Sequence, residues 1–241
     1  MSISNPTFSI TKPNSSDYMI DGEADPTLTL IRGNTYTFDF QDDGHPFFIK
    51  SSLGSGTAGR YDTGVVNQGS SSAESDLTFT VADNAPDTLF YQCSAHYGMN
   101  GQIDIFSMRT DDVAEQAYRI YKAAFDRTPD EEGLGYWIQE LDKGFALHEV
   151  TNSFVISQEF KNLYGADLDN EGFITALYNN VLDRDPDQGG LDYWINDMEN
   201  NGMSRADVLA SFSESAENIA NTDPLIELGV LYQPYGDDLI G

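Results

Sequence analysis

The sequence predicts two domains, an all-β sandwich followed by an all-α domain made of two similar helical repeats. Three observations carry that prediction. Short alternating apolar runs fill the first 108 residues, the apolar spacing turns helical near residue 110, and the second half repeats itself at an offset of 57 residues. The expected layout is a sandwich over 1–108, a tandem repeat over 113–222 with units at about 113–165 and 172–222, and a tail over 223–241.

The strands come first. In "TLTLIRGNTYTFDF", Tyr36, Phe38 and Phe40 fall on one side and Thr35, Thr37 and Asp39 on the other, while Gly33-Asn34 supplies residues that tolerate positive φ. A hairpin with one wet face is the expectation. Further runs at "HPFFIK", "DLTFTVA", "TLFYQC" and "QIDIFSM", separated by Gly- and Ser-rich loops, bring the expected total to seven or eight strands. That spacing belongs to a sandwich.

After "RTDD" the pattern is helical: "VAEQAYRIYKAAFDR" puts Val113, Ala117, Tyr121 and Ala124 on one face. The stretch "YKAAFDRTPDEEGLGYWIQELDKG" then returns as "YNNVLDRDPDQGGLDYWINDMENNG". Tyr121 matches Tyr178, Arg127 matches Arg184, Pro129 matches Pro186 and Trp137 matches Trp194. Beyond a one-residue insertion before Gly202, Phe154 matches Phe212 and Glu159 matches Glu217. In each copy the proline is expected in a helix first turn, with Asp130 or Asp187 placed to complement the helix dipole.

Composition narrows the partners. The chain of 241 residues carries a net charge of −28, with 4 Lys+Arg against 13 Asp+Glu in residues 1–108 and 8 against 27 in the rest. Nucleic acid and anionic membrane surfaces are excluded as partners by like charge. No apolar run approaches the roughly 18 residues of a membrane helix, and the polar start lacks the plan of a secretory signal. An extracellular or cell-surface location reached without an N-terminal signal peptide is the expectation.

Chemistry concentrates in "YQCSAHYGMNGQIDIF". The sole cysteine, Cys93, is followed by His96 and Met99 on one loop between two strands, and His45 precedes an earlier strand that a sandwich can bring to the same end. Two imidazoles, a thiolate and a thioether suit copper, because the sulfur donors hold Cu(I) while the imidazoles also accept Cu(II). One copper per chain at His45, Cys93, His96 and Met99 is predicted. Four protein ligands leave no open position for substrate, so a one-electron carrier or copper holder is expected and an enzyme is not. A redox partner is expected near His96 and Tyr97. His148, the third histidine, is expected on a helix surface.

Residues 18–108 resemble a cupredoxin, the blue-copper Greek-key sandwich. The spacing Cys-x2-His-x2-Met-x-Gly at Cys93, His96, Met99 and Gly101 is similar to the short, amicyanin-like ligand loop. "LIRGNTYTFDF" and "APDTLFYQC" resemble the strands that lead to the first histidine and to the cysteine. Many cupredoxins carry Asn after the first histidine to tie the ligand loops together. This chain has Pro46, so that tie is expected to be lost.

The repeated "RxPDxxGLxYW" unit, followed by "SFxxSxE", resembles domain of unknown function 4214, which is distantly similar to phycobilisome linker domains. The resemblance implies an interaction or anchoring module with a protein partner, and Tyr136, Trp137, Tyr193 and Trp194 read as core aromatics. "DRDPDQGG" (183–190) and "DLDNEGFI" (167–174) partly match calcium loops, yet each lacks the bidentate glutamate at position twelve. Helix caps are the preferred reading of both, with calcium as the second. The rival to a copper function is an exported surface or phage virion component in which the sandwich serves as a scaffold.

Overall fold

The computed structural model describes residues 6–165 and 168–236. The chain forms a strand-rich unit up to Ser107 and a helical unit over Met108–Tyr235.

The first unit holds β1 (Thr7–Thr11), β2 (Met19–Ile20), β3 (Glu23–Ala24), β4 (Leu28–Ile31), β5 (Thr35–Phe40), β6 (Phe47–Lys50), β7 (Val65–Val66), β8 (Leu77–Thr80), β9 (Thr88–Cys93) and β10 (Asn100–Arg109). One sheet runs β3-β2-β1-β5-β8-β7; the other joins β4, β10, β9 and β6. There are more strands than the seven or eight expected, because β2, β3 and β7 have two residues each and leave no period to read. Side chains from both sheets meet in one core that includes Ile10, Phe38, Phe47, Leu89 and Ile103.

The alternation in β5 holds: Tyr36, Phe38 and Phe40 are buried, with their neighbours partly exposed. The expected hairpin does not form. β4 pairs in parallel with β10, whereas β5 pairs with β1 and β8 in the other sheet. Gly33-Asn34 therefore turns the chain from one sheet to the next. Arg32 N–H donates to Phe106 O and Gly33 N–H to Val81 O, so each side of the turn is tied to its own sheet. A period of two marks a buried face, and it does not say which strand lies alongside.

The second unit holds α1 (Asp112–Phe125), α2 (Glu131–Asp142), α3 (Leu147–Val155), α4 (Gln158–Tyr164), α5 (Asn170–Leu182), α6 (Gln188–Asn200), α7 (Arg205–Ser213), α8 (Ala216–Ile226) and a short strand, β11 (Val230–Tyr232). Helices α1 to α4 are one copy of the repeat and α5 to α8 the other. The buried face of α1 includes Ala117, Tyr121 and Ala124 as expected, while Val113 is only half-buried and Ala114 and Ile120 take the core positions.

The repeated motif has a structural account residue by residue. Asp126 and Asp183 end α1 and α5 in the left-handed conformation, at φ 47° and 53°. Arg127 and Arg184 lie over the rings of Tyr121 and Tyr178, at 5.0 and 4.8 Å, and their Nε atoms donate to Glu159 and Glu217. Asp130 and Asp187 are the N-caps of α2 and α6, each accepting from the backbone N–H three residues on. Pro129 and Pro186 consequently precede the cap and do not occupy the first turn. Gly133 and Gly190 are required because a Cβ there would stand 3.0 or 2.3 Å from the tyrosine hydroxyl.

The copies differ at one face. In the first, Leu134 and Ile138 are buried in a cluster with Ile226 and Val230. Gly135 admits the chain there, since its Cβ would stand 1.7 Å from Gln233 O. The expected tail start at 223 lies inside α8, the segment to Gly236 includes β11, and residues 237–241 lie outside the described residues. Helix α6 buries no residue fully. Among the described residues no helix is long and apolar enough to cross a membrane.

Candidate metal centre

Cys93 is the last residue of β9, with its side chain buried, and the chain then loops through His96 and Met99 into β10. Cys93 N–H donates to Met99 O at 3.0 Å and Met99 N–H to His96 O at 3.2 Å, which closes a tight loop. Gly101 lets that loop close, because a Cβ there would fall 2.2 Å from the Tyr91 hydroxyl. His45 enters from the segment before β6, whose Phe47 is directly paired with Cys93.

Three donor atoms meet. His45 Nδ1 lies 3.0 Å from His96 Nδ1, and Cys93 Sγ lies 4.0 Å from the first and 3.7 Å from the second. Among the described residues this is the one group of three or more His, Cys, Asp or Glu residues able to hold a metal ion, with donors all within 4.8 Å. Two such donors at ordinary bond lengths from one ion, about 110° apart, stand roughly 3.4–3.6 Å from each other. The observed spacings bracket that figure, so the donor set fits a first-row ion. Met99 is fully buried and belongs to the same core cluster as Cys93.

The first histidine is held in an unusual backbone state. His45 has φ 56° and follows Gly44 at φ 92°, a left-handed pair that costs a residue with a Cβ about 1–2 kcal/mol. The buried Tyr18 hydroxyl contacts both His45 O at 2.9 Å and Pro46 O at 3.1 Å, and Gly44 N–H donates to Ser71 O. Pro46 also ties the two ligand loops, contrary to expectation, because its carbonyl accepts from Ser94 N–H at 3.1 Å. A tie expected from a side chain is supplied by the backbone. Burial lowers the pKa of His45 from the ordinary histidine value, and nearby His96 and Lys12 add to the effect while Asp42 opposes it. The imidazole is thus biased toward the neutral form that binds metal.

The remaining predicted residues lie elsewhere. His148 is exposed on α3. Trp137 and Trp194 pack on the helical core, whereas Tyr193 is 56% exposed. The acidic strings serve as caps: Asp169 and Asp187 accept from Gly172 and Gly190 N–H, Asp183 ends α5, and Asp167 lies outside the described residues. Calcium finds no support in them. Sequence reasoning missed Tyr18, Lys50 and Gln92, all fully buried around the ligand loop. A lysine followed at once by the Gly- and Ser-rich "SSLGSGTAG" was the signal for Lys50, since such a loop can fold back and offer carbonyls.

Among solved structures the chain is similar to reduced rusticyanin, at 20% identity over 43% of this chain and 81% of that one, with a TM-score of 0.30. It is similar to rusticyanin from Thiobacillus ferrooxidans at 21% identity over 41% and 74%, with a TM-score of 0.30. A reduced amicyanin variant matches at 18% identity over 43% and 86%, with a TM-score of 0.28. No curated protein matches the chain. Residues 151–222, from within α3 of the first copy to within α8 of the second, match the family model described as domain of unknown function (DUF4214).

Proposed function

We propose that the strand-rich unit holds one copper ion through His45, Cys93, His96 and Met99, and that the protein is a one-electron carrier attached to a helical interaction module, without catalytic activity of its own. The observation that carries this reading is the convergence of two Nδ1 atoms and one thiol sulfur within 4.8 Å. Copper, when bound, supplies a one-electron couple suited to mixed nitrogen and sulfur ligation. The chain's part is to hold that donor set. Cys93 is held by β9, His45 by the left-handed turn under Tyr18, and the 93–99 loop by its own backbone bonds.

His96 is half-buried and followed by Tyr97, which is 63% exposed, so this loop offers a route between the donor cluster and a redox partner. Supplying Cu(II) to metal-free protein and to Cys93→Ser tests the reading. Wild type should retain one copper per chain and show an intense thiolate-to-copper absorption band, and the variant should show no such band. Absence of both the band and retained copper in wild type would overturn the proposal and leave the sandwich as a scaffold.

A further inference from the structure

Lys50 closes β6 with its side chain fully buried. Its Nζ donates to Gly54 O at 2.6 Å, Gly56 O at 2.8 Å and Gln92 Oε1 at 3.0 Å, which uses all three ammonium protons. Gln92, also fully buried, accepts in addition from Gly54 N–H at 3.0 Å and donates its Nε2 to Tyr97 O at 2.8 Å. Gly56 N–H in turn donates to Ser94 O at 3.2 Å. Two side chains thereby join the 51–60 loop, strand β9 and the loop that carries His96.

These hydrogen-bond partners are all neutral, and burying an ammonium is costly. A methionine would fill the same space without that cost. It would leave the carbonyls of Gly54 and Gly56 without this donor, and Gln92 without the cation that anchors its oxygen. The network is placed where a loop needs holding: Gln92 precedes Cys93, and Tyr97 follows His96.

We infer that Lys50 and Gln92 are positioning residues that hold the 93–99 loop in its metal-binding shape before any metal arrives. The inference rests on the metal-site reading above. A loop ordered in advance binds its ion without losing conformational freedom at that moment, which lowers the rate of release.

Gln92→Glu isolates the effect, since a carboxylate still accepts from Lys50 and Gly54 but has no N–H for Tyr97 O. Lys50→Met removes the whole anchor. In the metal-free full chain, amide exchange at Met99 and Ser94, taken relative to amides of β5, should be about tenfold faster in both variants. Cu(II) should dissociate about tenfold faster from both than from wild type. Leu30→Ala, a core change in β4, which pairs with the 103–106 stretch of β10 and not with β5, should lower global stability without changing the ratio of Met99 to β5 exchange.

An unchanged ratio in Gln92→Glu would overturn the inference, and that variant decides alone where Lys50→Met does not fold. Wild type that retains no copper would instead sink the metal reading, while the exchange ratio would still decide whether the pin exists.

Discussion

Arg127 and Arg184 make the same two contacts in the two helical copies, whereas Cys93 and the histidines beside it have no counterpart anywhere in the chain. Both arginines lie over a tyrosine ring and reach a glutamate on a later helix, so their recurrence is explained by folding one unit twice. The side chains of His45, Cys93 and His96 converge on one point and recur in no second copy. Repetition within a chain marks architecture. A single, converging, partly buried donor set marks chemistry.

That contrast can be broken at Gly135, where the helical unit stops repeating. Gly135 lies against Gln233 O, and Asp192 occupies the matching position in the other copy. Gly135→Ala should destabilise the helical unit by about 2–3 kcal/mol, because a methyl group cannot share the space of a carbonyl and the 226–233 segment must lift. Asp192→Ala should change stability by no more than about 0.5 kcal/mol. Urea unfolding followed by tryptophan fluorescence reads this unit alone, since Trp137 and Trp194 are the two tryptophans of the chain. Equal effects at the two positions would mean that the copies are equivalent after all.

A smaller effect tests the clamp itself. Arg127 donates to Tyr121 OH at 3.0 Å as well as to Glu159, and its guanidinium is 40% exposed. Arg127→Ala should cost the helical unit about 1 kcal/mol, the sum expected of an exposed ion pair and its contacts with the rings of Tyr121 and Phe125. Arg184→Ala should cost less, because Arg184 has the ring and the glutamate without a hydrogen bond to the tyrosine hydroxyl. The same unfolding measurement reads both.

Much of this was legible before the fold was known. The two-unit plan, the internal repeat and the grouping of His45 and Cys93 with His96 follow from period, repeat and residue inventory. What was hidden has a common cause. The Gly33-Asn34 turn looks like a hairpin because local pattern carries no strand order, and only the long-range bonds of Arg32 and Gly33 place it between sheets. A lysine at a strand end ordinarily faces solvent. The burial of Lys50 depends on a loop folding back to supply two carbonyls, which lies beyond any local propensity. The side chain of Pro46 offers no tie, and its backbone carbonyl makes one.

Acid should separate the two units in sequence, and this is the smallest of the expected effects. In metal-free protein, burial holds the pKa of His45 below the ordinary value near 6.5. Between those two values the unfolded chain carries a proton that the folded chain lacks, so the sandwich loses stability as pH falls through that window and no further below it. The helical unit has the opposite kind of group. Hydrogen bonds from Arg109 to Asp111, from Ser204 to Asp207 and from Arg184 to Glu217 hold those carboxyls below the usual range. Their contribution is intact above about pH 4 and is lost as pH falls through the folded values. Amide exchange of β5 and β9 should therefore accelerate as pH falls below about 6.5, after correction for intrinsic rates, while the tryptophan-detected unfolding midpoint stays constant until the carboxyls begin to titrate. His45→Gln should flatten the sandwich response and leave the helical one alone. A single pH profile shared by both units would mean that His45 does not govern the sandwich, and the contrast between a chemical unit and an architectural one would lose its electrostatic support.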